Sequence, residues 1–127
     1  MAAPLAGRTL APPSSELIVA EWRDCGESSA EQPIAPAHVH HGDDEGWYVL
    51  EGRLGVRLDD RAVEAGPGEA VIAPRGVVHT FWNGSNGVTR YLIFMTPNLQ
   101  RLIDELHDTG FANVAETFRK HDSELLG

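Results

Sequence analysis

Two histidines, His38 and His40, are separated by one residue in a stretch with the composition of a β-strand. Residues i and i+2 of a strand project from the same face about 6.6 Å apart, so the two imidazoles can converge on one ion. His41 would point to the opposite face. Although a single histidine is more often an ordinary hydrogen-bonded or exposed residue, the pair indicates a candidate metal site.

A carboxylate and a third imidazole could reach the same interior. Residues 41–44 have turn-forming types, so Glu45 would return at the start of the next strand. His79 follows a second turn, at 74–76, and begins another strand. Three imidazoles and one carboxylate suit a transition metal better than calcium or magnesium. Because a turn can aim any of its side chains, three neighbours remain alternative ligands: His41, Asp43 and Asp44.

The elements that would position these residues are short strands separated by turns. The composition predicts strands at 17–24, 36–40, 46–52, 53–60, 61–66, 69–74, 77–83 and 88–97. Asp59-Asp60, residues 66–68 and residues 83–87 have the residue types of tight turns or loops. Many short, closely spaced strands are typical of an antiparallel sandwich or barrel.

The spacing of the candidate ligands resembles the two signature motifs of the cupin superfamily. Residues 37–52 contain H-x-H, four residues, E, six residues and G, and residues 68–83 contain G, five residues, P-x-G, two residues, H, three residues and N. The first motif departs from the family pattern at Gln32, where a glycine is usual. The resemblance covers about residues 17–97 and is strongest to small single-domain members, the cupin type-2 or quercetin dioxygenase-like proteins.

This resemblance implies an all-β fold, a double-stranded β-helix or jelly-roll barrel, with a metal ion inside it. The ligands that it implies are His38, His40, Glu45 and His79. Fe2+ or Mn2+ is the leading expectation, with Ni2+, Co2+, Cu2+ or Zn2+ as alternatives. In six-coordinate geometry four protein ligands leave two positions for other ligands, which is typical of a catalytic rather than a structural site.

Strand alternation also predicts the walls of a cavity around the metal. Trp47 and Val49 share the face of Glu45, whereas Val77 and Phe81 share the face of His79. These residues either fill the barrel or contact a substrate. Arg75, in the turn before His79, could anchor an anionic substrate, although a turn arginine is more often solvated. The sequence does not identify catalytic residues.

The chain has the length of one domain, divided into an arm (1–16), the barrel (17–97) and a helical segment (98–127). The arm is expected to be flexible because it is rich in proline and small residues. Thr96 and Pro97 can begin a helix, whose apolar stripe consists of Leu99, Leu102, Ile103 and Leu106 and which Gly110 would end. Asn113 and Glu116 have capping-box spacing for a second helix. The helices are expected to cover the barrel or form a dimer contact.

Composition limits which partners and which cellular location are expected. The net charge of −9 argues against a nucleic-acid partner. No apolar run is long enough to cross a bilayer and no signal peptide is recognised, so we expect no membrane partner and a cytoplasmic location. Cys25 is the single cysteine, which agrees with a reducing compartment. Cupins commonly pair through an outer sheet, so a homodimer is expected.

The resemblance favours a metal-dependent enzyme acting on a small organic molecule, with a dioxygenase-type oxidoreductase as the leading reaction. A non-oxidative isomerase or cyclase is the first alternative. A sugar-phosphate substrate is disfavoured because the motif region offers only scattered arginines. A non-enzymatic protein that binds a small molecule is the second alternative. The fold alone does not decide among these functions.

Overall fold

The computed structural model describes residues 12–109 and 112–126, so most of the arm that the sequence predicts lies outside the described part of the chain. The barrel begins with three strands: β1 (Ile18–Asp24), β2 (Ala35–His40) and β3 (Glu45–Glu51). Five more follow: β4 (Leu54–Leu58), β5 (Arg61–Ala65), β6 (Ala70–Ala73), β7 (His79–Asn83) and β8 (Thr89–Met95). The chain then forms α1 (Pro97–Thr109), α2 (Val114–Lys120) and a last strand, β9 (Ser123–Leu125).

The strands form two antiparallel sheets, with the orders β1-β8-β3-β6 and β5-β4-β7-β2-β9. Side chains alternate along the strands. In β8, for example, Thr89, Tyr91, Ile93 and Met95 are buried and the residues between them are partly exposed. The buried faces of the two sheets share one apolar core. The all-β jelly-roll fold expected from the sequence is confirmed.

Glycines close several of the turns between these strands, because they adopt positive φ without strain. Gly52, Gly68 and Gly76 have φ of 80°, 85° and 83°. Gln32, which occupies the position where the family usually has glycine, is not among the residues with positive φ. Its turn is closed instead by the Ser29 N–H, which donates to the Gln32 carbonyl at 2.9 Å. The departure from the motif therefore leaves this turn intact.

The first helix begins as the sequence predicts. The hydroxyl of Thr96 accepts a hydrogen bond from the Leu99 N–H at 3.3 Å, which satisfies one free donor of the first turn. The buried side chains of α1 are Leu99, Leu102 and Leu106. They face the mouth of the barrel, so α1 covers it. Gly110, the expected helix end, lies outside the described residues.

The end of the chain differs in two ways from the sequence-based expectation. Asn113 does precede α2, but its side chain makes no capping hydrogen bond, so the capping box predicted with Glu116 is wrong. The chain also continues beyond α2 into β9, a strand that the sequence analysis did not anticipate. β9 pairs with β2, the strand that carries His38 and His40.

No helix in residues 12–109 or 112–126 is long and apolar enough to cross a membrane.

Candidate metal centre

Three strands bring the four predicted ligands together inside the barrel. His38 and His40 alternate along β2, Glu45 begins β3, and His79 begins β7 as the cross-strand partner of His38. One ligand atom from each of the four residues lies within 4.8 Å of the others. All four side chains are buried. The strand alternation and the two turns predicted from the sequence are responsible for this convergence.

The outer ring nitrogens of all three histidines are occupied by hydrogen bonds. His38 Nδ1 donates to the Pro36 carbonyl at 2.7 Å, and His79 Nδ1 donates to the Val77 carbonyl at 3.0 Å. These two assignments follow because a carbonyl oxygen can only accept. His40 Nδ1 lies 2.7 Å from the hydroxyl of Ser123. Each histidine therefore has its Nε2 atom available inside the cluster, as expected for metal-ligating imidazoles.

Burial and neighbouring charges set the protonation of the cluster. Burial and the nearby His79 and His40 lower the pKa of His38 to about 3, so this ring is neutral near pH 7. Burial raises the pKa of Glu45, but hydrogen bonds from His40 and His79 outweigh this effect and hold the pKa well below its usual range. For His79, burial lowers the pKa, but the hydrogen bond to Glu45 prevails and raises it.

These charges fit a divalent cation. Glu45 Oε1 lies 3.2 Å from His40 Nε2 and 3.1 Å from His79 Nε2, distances at which the ionised carboxylate can accept a hydrogen bond from either ring. A cation at the same place would interact with the carboxylate and with the three Nε2 atoms. Nitrogen and oxygen donors in this combination suit a transition metal. The residues present therefore fit the metal expected from the sequence.

The alternative ligands lie outside the cluster. The His41 ring is exposed and lies 3.7 Å from Glu124. Asp43 accepts hydrogen bonds from Thr96 and Asn98. Asp44 is exposed and accepts the backbone N–H of Arg75 at 2.8 Å. None of these three side chains belongs to the group of ligand atoms that the described part of the chain brings together.

An apolar cavity lies directly beside the cluster. It offers about 40 Å³ of free space, and His38, His40 and Glu45 form its polar side. Its other walls come from both sheets and from the two helices: Trp22, Ala35, Phe81, Tyr91, Ile93, Leu99, Leu102, Ile103, Leu106 and Phe118. This volume holds a few water molecules at most, so a larger ligand would have to displace part of the wall.

The structure places the five predicted pocket residues in different surroundings. Phe81 lines the cavity, and Trp47 contacts the rings of both His79 and Phe81. Val49 is fully buried in the core, whereas Val77 is half-buried in the turn before His79. Arg75 is exposed, and its side chain lies 3.4 Å from Asp44 on the outside of the barrel.

The sequence matches the family model described as Cupin domain over residues 29–95, more than half of its length. This chain belongs to the cupin family. The match contains all four candidate metal ligands and ends at the last residue of β8. The two helices and β9 follow it.

Solved structures with similar folds include a polyketide cyclase and a sugar phosphate isomerase. The chain is 32% identical to the polyketide cyclase RemF from Streptomyces resistomycificus, with a TM-score of 0.52 over 66% of this chain and 56% of that chain. It is 28% identical to TT1209 from Thermus thermophilus, with a TM-score of 0.55; the alignment covers 66% of this chain and 75% of TT1209. A sugar phosphate isomerase from Silicibacter pomeroyi is 27% identical, with a TM-score of 0.54; the alignment covers 65% of this chain and 51% of the isomerase. The aligned part thus spans about half of the cyclase and isomerase chains. No curated protein matches this cupin.

The sequence left open whether the C-terminal helices cover the barrel or form a dimer contact, and it did not assign any of their residues to the site. Phe118 of α2 packs against His38, with ring centroids 5.2 Å apart. Leu99, Leu102 and Leu106 form the cover of the cavity. The helical stripe was visible in the sequence, but the surface that it contacts was not. Ser123 gave no signal at all, because a lone serine in a polar tail has no distinguishing spacing.

Proposed function

We propose that this cupin is a metal-dependent enzyme that acts on a small, uncharged and largely apolar organic molecule. The observation that carries the proposal is the buried cluster of three imidazoles and one carboxylate beside an apolar cavity. A metal centre at the edge of such a cavity can contact a substrate that the apolar walls hold in place.

His38, His40, Glu45 and His79 would hold the ion, with Fe2+ or Mn2+ proposed first and Ni2+, Co2+, Cu2+ or Zn2+ as alternatives. When bound, the metal would supply Lewis acidity and, with a redox-active ion, the ability to activate dioxygen. The protein supplies the orientation of the rings through the three Nδ1 hydrogen bonds. It also excludes water, because the side chains of α1 and α2 cover the cavity.

The walls of the cavity support an uncharged substrate. Among the described residues that line it there is no lysine or arginine, and Arg75 lies outside on Asp44. A phosphate group would find no cationic partner there, so the sugar-phosphate activity named for one similar structure is not proposed here. The Trp22 Nε1–H is buried without a hydrogen-bond partner in the described chain. This group could donate to an oxygen atom of the substrate.

Two reactions are compatible with this site. The first is a dioxygenase-type oxidation, for which a redox-active ion held by His38, His40, Glu45 and His79 would supply the ability to activate dioxygen beside the substrate. The second is a non-oxidative cyclisation or isomerisation, which is favoured by the 32% identity to a polyketide cyclase. Both reactions require the metal and the apolar cavity, and they differ in whether oxygen is consumed.

Oxygen dependence separates the two reactions. Protein loaded with Fe2+, Mn2+ or Co2+ would be incubated with a panel of hydroxylated aromatic compounds, with and without oxygen, while oxygen uptake and product masses are recorded. Oxygen uptake that matches the amount of a product whose mass has increased by added oxygen atoms supports the dioxygenase. Turnover without oxygen supports the cyclase or isomerase. A compound that binds and stays unchanged under every condition supports a non-enzymatic binding protein, and His79→Ala serves as the metal-site control.

A further inference from the structure

His40 differs from the other two histidines of the cluster in the partner of its Nδ1 atom. His38 and His79 each donate to a backbone carbonyl two residues earlier in the chain. His40 instead faces the side chain of Ser123, which lies 83 residues later in sequence and 2.7 Å away in space. Ser123 is only 3% exposed, so water does not replace this contact.

Strand register explains how Ser123 reaches the metal cluster. β9 runs antiparallel to β2, with Ser123 directly opposite His40. Opposite residues of an antiparallel pair project to the same face, with their Cβ atoms about 4.5–5.5 Å apart. Two backbone hydrogen bonds flank the pair: His41 N–H to the Asp122 carbonyl at 3.0 Å and Leu126 N–H to the Ala37 carbonyl at 2.8 Å. The serine is therefore held at its position by the sheet.

The direction of the hydrogen bond follows from the second contact of the hydroxyl. Ser123 Oγ donates its single proton to the His121 carbonyl, 3.1 Å away. We assign the hydroxyl proton to this contact, because a carbonyl can only accept; the oxygen then accepts from His40, and His40 carries a proton on Nδ1. This arrangement fixes the orientation of the ring and leaves Nε2 as the atom that faces Glu45 at 3.2 Å. The same pattern of an outer partner that orients a ligating imidazole is general in metal sites.

We propose that Ser123 is a positioning residue of the metal centre and that the docking of β9 against β2 is thereby part of metal binding. This inference rests on the proposed metal-dependent function. It assigns a role to a segment beyond residues 29–95, the part that matches the cupin family. Without the hydroxyl, the Nδ1–H of His40 would be buried without a partner and the ring would lose its fixed orientation.

The first test uses the metal-free protein. Long-range 1H–15N NMR of the histidine side chains reports which ring nitrogen carries a proton. We expect a proton on Nδ1 of His40 in the wild type and a changed Nδ1 signal in Ser123→Ala. A neutral His40 protonated on Nε2 alone would overturn the proposal. Because no metal is added, this result does not depend on the proposed function.

The second test measures Co2+ affinity by competition with a chromophoric chelator, together with the visible spectrum of the bound ion. Loss of an outer partner typically costs 10–100-fold in metal affinity, so we expect Ser123→Ala to weaken binding by about 10-fold or more. Ser123→Thr keeps the hydroxyl and should restore most of the affinity and the wild-type spectrum. Circular dichroism would check that each variant folds.

Thr117→Val is the matched control for a general loosening of the C-terminal segment. Thr117 is also 3% exposed, and its hydroxyl donates to the Asn113 carbonyl at 3.0 Å. It forms no hydrogen bond to any of the four candidate metal ligands. This variant should bind Co2+ as the wild type does. Equal affinities for Ser123→Ala and the wild type, or an equal loss in Thr117→Val, would overturn the positioning role. If the wild type binds none of Co2+, Fe2+ and Mn2+, the proposed function itself fails, while the NMR result still decides on the His40–Ser123 contact.

Discussion

The Asp43 carboxylate accepts a hydrogen bond from Asn98 Nδ2 at 2.9 Å and so ties the turn after β2 to the first turn of α1. Its other oxygen accepts from the hydroxyl of Thr96 at 2.7 Å. The turn that follows His38 and His40 therefore also fixes the helix that covers the cavity. Since the cavity is small, a bound molecule larger than a few waters would have to displace this cover.

We expect Asp43→Ala to loosen α1 while leaving the barrel intact. Hydrogen bonds to a charged group are worth about 1.5–3 kcal/mol, so amide hydrogens of α1 should exchange roughly 10-fold faster or more. Hydrogen–deuterium exchange followed by mass spectrometry would measure this change. Asp44→Ala is the control, because Asp44 is adjacent and exposed and contacts Arg75. Equal acceleration in α1 and in β3 would contradict a local role for Asp43.

Metal content should depend on the buried histidines and not on their exposed neighbour. Protein purified without a metal-affinity tag is expected to contain about one transition-metal ion per chain by elemental analysis. His38→Ala and His79→Ala should each abolish this content while circular dichroism shows a retained fold. His41→Ala should keep the metal, because that ring lies outside the cluster beside Glu124. Metal loss in His41→Ala alone, or no metal in any preparation, would refute the site.

The ligand cluster was predictable because it depends on local rules. The two-residue period of β2 puts His38 and His40 on one face, and turns return Glu45 and His79 to the ends of neighbouring strands. The same rules predicted that His41 points away from the cluster.

The cover of the cavity and the outer partner of His40 were not predictable in this way. The stripe of α1 showed that one helical face is apolar, but whether it packs on the barrel or on a second chain depends on long-range docking. β9 has only three residues, and its pairing with β2 joins positions 83 residues apart. Trp22 reaches the cavity through the pairing of β1 with β8, which no local pattern reveals.

Two glycines with similar backbone conformations should respond differently to substitution. Gly52 and Gly68 both have positive φ, near 80° and 85°, which costs an alanine about 1–2 kcal/mol. A Cβ at Gly52 would also collide with the Val88 carbonyl and the Thr89 hydroxyl, whereas nothing lies within 4 Å of one at Gly68. We therefore expect Gly52→Ala to lower the free energy of unfolding by about 3 kcal/mol or more, and Gly68→Ala by about 1 kcal/mol, in urea titrations. Equal losses would show that the backbone conformation alone determines the cost of an alanine at these two positions.

The metal-free protein should lose stability on mild acidification because of His38. Burial and the nearby His79 and His40 lower the pKa of this ring to about 3. An unfolded histidine titrates near pH 6.5, so between pH 6 and pH 5 the unfolded chain takes up a proton that the folded chain does not. The free energy of unfolding therefore falls as the pH falls, by at most about 1.4 kcal/mol per pH unit from this residue. The opposing shift of His79, whose pKa is raised, contributes stability that is already fully present below pH 6.

Urea unfolding of the metal-free wild type and two variants at pH 6 and pH 5 would test this effect. His38→Gln removes the titrating ring and should flatten the dependence on pH. His41→Gln removes an exposed ring that lies outside the cluster and should leave the dependence unchanged. If the change in the free energy of unfolding between pH 6 and pH 5 is the same in His38→Gln as in the wild type, groups other than His38 cause the acid sensitivity.

The homodimer expected from the sequence would have to use a surface other than α1. The apolar stripe of that helix is buried over the cavity, with Leu99, Leu102 and Leu106 almost fully covered. Part of the outer face of the four-stranded sheet is apolar: Ile72 is 55% exposed and Tyr48 is 37% exposed. In the register of the sheet, Ile72 lies opposite Gly46, which in turn lies opposite Phe94. An exposed apolar strip of this kind is typical of an interface between chains.

We therefore predict that this face joins two copies of the chain and that Ile72→Glu separates them. Two negative charges brought together in an apolar contact would cost several kcal/mol, enough to shift a micromolar dimer to monomer. Size-exclusion chromatography with light scattering over a range of concentrations would give the mass. Ala62→Glu places the same charge at an exposed position of β5 in the other sheet and should leave the dimer unchanged. A monomer mass for the wild type at every concentration would exclude the dimer, whereas dissociation by Ala62→Glu but not by Ile72→Glu would move the interface to the five-stranded sheet.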